Sequence, residues 1–151
     1  MRTRGMLFGV LLVALAAASQ AIAGPRENAY SAVERWAAAF NSGDVENTVA
    51  SYTPDALVLG AASSSLISNP EELRAYYRAT TAAKIQVKLG ESSAIVLTDD
   101  AVALTGFYEF SQPWKGELVA IPARFTFIVV KRGGDWKILH HHSSTRPSPP
   151  K

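Results

Sequence analysis

Four residues in the second half of the chain, Arg124, Thr126, His140 and His142, carry most of its capacity for chemistry. An arginine offers a forked, permanent cation to a carboxylate or enolate oxygen, and an imidazole exchanges a proton near neutral pH. Strand alternation puts Trp136, Ile138, His140, His142 and Ser144 on one face, and Lys137, Leu139, His141, Ser143 and Thr145 on the other. What faces them depends on the turn before them. A two-residue Gly133-Gly134 turn aligns Phe125 and Phe127 with the paired histidines; a three-residue Arg132-Gly133-Gly134 turn with a glycine bulge sets Thr126 opposite His140 and Arg124 opposite His142. The second register is preferred, because it gathers the four polar residues at one end of a face whose other end is Ile128, Val130, Trp136 and Ile138. That is a polar-bottomed pocket, with Tyr108 or a tyrosine of the third helix on its wall, suited to a small acidic or carbonyl-bearing molecule. The bland alternative is a structural hydrogen-bond network at a strand end.

Other chemistries are narrower. There is no cysteine, which excludes disulfides, thiolate metal sites and thiol nucleophiles. His140 and His142 are spaced to share an ion, but His141 points away and no third ligand is fixed by spacing, so no metal and no cofactor are expected. Glu109 beside Tyr108 serves as a general base only if it faces inward, and no catalytic residue is assigned. Trp36, Phe40, Tyr76 and Tyr77 recur at helical spacing as core or pocket wall. Arg74 and Arg78 form one turn of a solvated basic face. No block of Lys or Arg follows the leader, so nucleic acid is not an expected partner.

The elements that must position these residues divide into two groups. Pro25, the apolar series Ala29, Val33, Trp36, Ala37 and Phe40, and the stop at Asn41-Ser42-Gly43 predict a helix over 25–42. Asp44 caps a short helix from Val45 to about Tyr52, Thr53-Pro54-Asp55 turns the chain, and Ala56 to Gly60 reads as a short strand. Asn69-Pro70-Glu71-Glu72 opens a third helix to about Ala82. Strands follow at 84–97, 101–112, 118–132 and 136–145, joined by short turns. Helices first and a long meander second predict an α+β fold, three N-terminal helices on a curved antiparallel sheet, with a pocket between the layers.

With 48% hydrophobic and 19% charged residues in 151, the chain suits one domain. Arg2, Arg4, the apolar run 6–18 and Ala21-Ile22-Ala23 predict a secretory signal peptide cleaved after Ala23. The run is short for a membrane span of about 20 residues. The expected organisation is a signal peptide over 1–23, a domain over 24–145 and a disordered tail over 146–151, in a periplasmic or secreted protein that is free of the membrane after cleavage. Without the two leader arginines, the 15 basic residues fall to 13, matching the 13 acidic ones.

Three stretches sharpen the fold: Thr105-Gly106-Phe107-Tyr108-Glu109-Phe110, Ile121-Pro122-Ala123-Arg124-Phe125-Thr126-Phe127, and Gly133-Gly134-Asp135-Trp136-Lys137-Ile138-Leu139-His140-His141-His142-Ser143-Ser144. With Trp36-Ala37-Ala38-Ala39-Phe40-Asn41-Ser42-Gly43-Asp44, they resemble the bacterial branch of the calcium/calmodulin-dependent protein kinase II association-domain family. That family shares the cystatin-like cone of the SnoaL-like (SgcJ/EcaC) proteins, within the nuclear transport factor 2-like superfamily. The resemblance implies a ligand-holding cone and assembly into homo-oligomers. The chain has no kinase catalytic loops, so kinase activity is not implied. The expectation is an exported small-molecule-binding and self-associating domain, at least a dimer, joined through Phe125, Phe127, Val129 and Leu139. An isomerase, cyclase or dehydratase is the alternative.

Overall fold

A computed structural model describes residues 23–147; the expected signal peptide, apart from Ala23, and the last four residues of the expected tail lie outside the described residues. Three helices precede four long strands: α1 (Pro25–Ser42), α2 (Val45–Ala50), β1 (Tyr52–Leu59), α3 (Pro70–Ala82), β2 (Gln86–Thr98), β3 (Ala101–Trp114), β4 (Glu117–Arg132) and β5 (Asp135–Thr145).

The helix ends follow from their capping chemistry. Pro25 opens α1, and the amides of Gly43 and Asp44 close it onto the carbonyls of Phe40 and Ala39. Asp44 then accepts from the Asn47 amide to start α2, and Asn69 accepts from the Glu72 amide to start α3. Buried Ala29, Ala32, Val33, Trp36, Ala37 and Phe40 form the stripe that α1 lays on the sheet. The Asn41 side chain holds the edge strand β2, donating to the Val87 carbonyl at 2.8 Å and accepting from the Val87 amide at 2.7 Å.

The strands form one five-stranded sheet in the order β1-β5-β4-β3-β2. The last four make the expected antiparallel meander. β1 differs from expectation: it starts at Tyr52 rather than Ala56, shortening α2, and pairs with β5 in parallel, so the sheet is mostly rather than wholly antiparallel. One face of the sheet is covered by the helices. Val102, Leu104, Phe127, Val129 and Ile138 are fully buried there, with Trp36 of α1 packed edge-on against Phe127 at 5.3 Å between ring centroids.

The β4–β5 hairpin corrects the preferred register. Gly133 and Gly134, at φ 61° and 91°, form a two-residue turn between paired Arg132 and Asp135, a backbone that favours glycine at both positions. The register then shifts: Val129 pairs with Ile138 but Ile128 pairs with His140, leaving Leu139 as a bulge. Beyond it Thr126 opposes His142 and Arg124 opposes Ser144, two residues away from the expected pairing. Because the bulge reverses the alternation, Ile138, His141 and Ser143 all point into the core.

Candidate functional site

Arg124, Thr126, His140 and His142 do share a face, but it is the outer face of the sheet, not the interior of the cone. A shift of two residues preserves which side chains lie together, whereas the side they occupy is set by Phe125, Phe127 and Val129, which turn into the core. The expectation that these three phenylalanine and valine side chains form an outward interface is corrected by the same fact. Leu139, in the bulge, is half-buried. On the outer face Arg124, Thr126 and His142 line a shallow depression of about 800 Å³ with Thr105, Phe107 and Ser144. Arg124 there donates from Nε to Ser144 Oγ at 3.0 Å. His140 sits beside Leu57 of β1, and Tyr108 lies on the opposite face, so the five expected ligand-binding residues do not form one site. Glu109 is exposed on the outer side, and no group of three or more metal-ligating side chains occurs among the described residues.

The interior carries a different and more closely built arrangement. Between α1, α3 and the sheet is a cavity of about 160 Å³, walled by Trp36, Phe40, Val58, Tyr76, Tyr77 and Phe110. His141 and Ser143 line its sheet side, and Gln112, Thr145 and the 60–62 segment its mouth. Gly60 lets Tyr76 close over that mouth: a Cβ at Gly60 would collide with the Tyr76 hydroxyl. The expected placing of Trp36, Phe40, Tyr76 and Tyr77 as core and pocket wall is what the structure shows.

His141 is the centre of this arrangement. Its Nδ1 is 2.9 Å from the Tyr52 hydroxyl and its Nε2 is 3.2 Å from the Tyr108 hydroxyl. Tyr52 bonds in turn to the Tyr77 hydroxyl, which accepts from the Trp36 indole at 3.0 Å. The imidazole stacks on Phe127 at 4.0 Å and meets the edge of Trp36 at 5.2 Å. Burial pushes the His141 pKa down to about 3, and the neighbouring His140 and His142 add to the effect, so the ring is neutral at physiological pH. Burial likewise raises the pKa values of Tyr52, Tyr77 and Tyr108, keeping all three hydroxyls protonated. Ser143 Oγ, beside the Tyr108 hydroxyl, is buried without a well-formed hydrogen bond.

Residue typing missed His141 because alternation from Trp136 assigned it outward. The signal that would have found it is the set of tyrosines: the buried hydroxyls of Tyr52, Tyr77 and Tyr108 need polar partners, and His141 of β5 serves two of them.

A SnoaL-like domain model matches residues 30–148, most of the chain. The protein belongs to the SnoaL-like family. Among solved structures it is similar to a Xanthomonas campestris protein named as a calcium/calmodulin-dependent protein kinase II association domain, at 26% identity and a TM-score of 0.77, covering 95% of this chain and all of the other. A Streptomyces avermitilis protein named as a dehydratase of the NTF2-like family shares the fold at 20% identity and a TM-score of 0.72, covering 82% of this chain and 97% of the other. An Erwinia carotovora ketosteroid isomerase-like protein does so at 17% and 0.67, covering 80% and 95%. No curated protein matches the sequence. The cystatin-like cone expected from the sequence is thus the fold of this SnoaL-like protein.

Proposed function

We propose that this SnoaL-like protein is an exported, homodimeric domain that holds a small, mainly apolar molecule in its cone cavity. The observation that carries the reading is the cavity itself: aromatic walls, a volume of about 160 Å³, and a lining with no carboxylate, lysine or arginine among the described residues. A cavity of about 150 Å³ suffices for one benzene-sized ring. Binding is favoured over acid–base catalysis because His141, with its pKa near 3, is a weak base already engaged on both nitrogens. The absence of a cation from the lining also favours a neutral occupant over an acidic one, since a buried carboxylate without a counter-charge is costly.

Dimerisation is assigned to the outer sheet face. Leu57, Leu59, Ile95 and Phe107 are 43, 38, 63 and 42% exposed there, more apolar surface than a solvated sheet face normally presents. Export rests on the leader and is tested by N-terminal sequencing of the native protein, where a chain beginning at Met1 would overturn it. The central reading is tested by native mass spectrometry of the purified protein, followed by release of retained molecules. A single-ring compound that raises Tm when added back supports it. A protein carrying none, and unmoved by ring-sized compounds at millimolar concentration, would show that the cavity is only a packing gap.

A further inference from the structure

We propose that the cavity is a hydrogen-bond-donor site whose occupant is a neutral, single-ring carbonyl compound, its oxygen accepting from Ser143 Oγ. The proposal rests on the cavity reading above and adds the chemical class of the ligand and the residue that selects it.

The direction of the internal hydrogen bonds decides the class. An indole N–H only donates, so Tyr77 accepts from Trp36. The Tyr77 hydroxyl proton then has one side-chain acceptor among the described residues, Tyr52. Tyr52, having accepted, has His141 Nδ1 as the remaining place for its own proton. A neutral imidazole that accepts at Nδ1 carries its proton on Nε2, so His141 donates to Tyr108. The Tyr108 proton is left with Ser143 Oγ as its neighbour, a buried hydroxyl that makes no well-formed hydrogen bond among the described residues. The proton of Ser143 is the last in the chain, and Ser143 lines the cavity.

The opposite direction leaves the Tyr77 proton, on a side chain 2% exposed, with no side-chain acceptor among the described residues. An unmet buried donor is more costly than a reversed bond, so the chain runs from Trp36 to Ser143. Each donor in such a series polarises the next, which makes the terminal hydroxyl a better donor than an isolated serine. What it lacks is an acceptor. A carbonyl oxygen on a ring fits the need, the ring filling the space between Trp36, Phe40, Tyr76 and Phe110.

The experiment uses acetophenone, ethylbenzene, phenol and benzoate as probes, with affinities from ligand-observed NMR on the purified protein. Acetophenone is expected to bind about fivefold to tenfold more tightly than ethylbenzene, the ratio one buried hydrogen bond supplies. Ser143→Ala removes the ratio while ethylbenzene affinity holds, and Tyr108→Phe lowers it without abolishing it. The infrared carbonyl stretch of bound acetophenone falls in the wild type and returns towards its apolar-solvent value in Ser143→Ala. Equal binding of acetophenone and ethylbenzene overturns the proposal while leaving the cavity reading intact. Tighter binding of phenol overturns it by reversing the chain, and tighter binding of benzoate overturns it by requiring a charge. Failure of every probe to bind sinks the cavity reading and the proposal together.

Discussion

Three consecutive histidines of one strand live in two different solvents. His141 is 3% exposed, wedged among Trp36, Phe127 and two tyrosine hydroxyls, while His142 is exposed beside Arg124 on the far side of the same sheet. The inner face is rigidly specified: every hydroxyl and imidazole nitrogen of the Tyr52, Tyr77, Tyr108 and His141 group has a partner among the others, and the rings interlock. The outer face carries side chains of equal chemical interest with few mutual contacts, Arg124 reaching only Ser144. Reactive residue types are therefore a poor guide to a site unless burial is known, because the protein's surroundings decide which imidazole is held and which is merely present.

Truncation separates the two faces most sharply. Trp36 is 1% exposed and contacts Phe40, Tyr108, Phe127 and His141 through its ring, so Trp36→Ala is expected to cost about 3–5 kcal/mol in urea unfolding. Phe107→Ala on the outer face, at a protein concentration low enough to keep the chain monomeric, should cost less than about 1 kcal/mol. Comparable losses would mean that the outer face is as tightly packed as the core.

Acid provides the next largest contrast. The folded-state pKa of His141 lies near 3, below the value of about 6.5 in the unfolded chain, so between these pH values the unfolded state binds the extra proton. Stability is then full above the unfolded value and falls as pH drops towards 3, by up to about 1.4 kcal/mol per pH unit. His141→Gln removes this group and should flatten that limb of the stability profile, whatever it costs at pH 7. A slope unchanged in the variant would mean that His141 is not the neutral centre of the network.

How much of this the residues disclosed depends on which local rule governed them. The ends of α1 and α3 were legible, since Pro25, Gly43 and the Asn69-Pro70 pair act through backbone chemistry that tertiary contacts do not override. The start of β1 was not, because Tyr52-Thr53-Pro54 carries turn residues, and the strand is tied to β5 there only through the pairing of Tyr52 with Ile138. The candidate site failed for two local reasons: the turn holds two residues rather than three, and the bulge at Leu139 inserts one residue without a compositional mark, so alternation carried from Trp136 assigns His141 to the wrong side. The grouping of Arg124 with Thr126 and His142 survived because a shift of two leaves parity unchanged.

Association tests the outer face directly. Ile95 is 63% exposed, so Ile95→Glu should change the stability of the monomer by no more than about 0.5 kcal/mol. In a symmetric dimer the same carboxylate enters the interface twice, with its desolvation unmet. Light scattering at tens of micromolar should show a dimer for the wild type and a monomer for the variant. A wild-type monomer at that concentration would leave the apolar outer face without a role in self-association.

The smallest expected effect bears on where the ligand sits. Arg124 is the residue whose chemistry most invites an anion, yet its side chain is exposed and lies across the sheet from Ser143 and the cavity. Between an exposed guanidinium and a ligand held on the other side of a packed sheet, the interaction is screened by solvent and has no hydrogen-bonded route. Arg124→Ala should therefore leave acetophenone affinity within about twofold of the wild type, as should Lys137→Ala, while Ser143→Ala on the inner face lowers it. Equal losses in Arg124→Ala and Ser143→Ala would show that the two faces are coupled through β4 and β5. A loss confined to Arg124→Ala would move the binding site to the outer depression and reverse the proposed division of the strand into a ligand-holding inner face and a self-associating outer face.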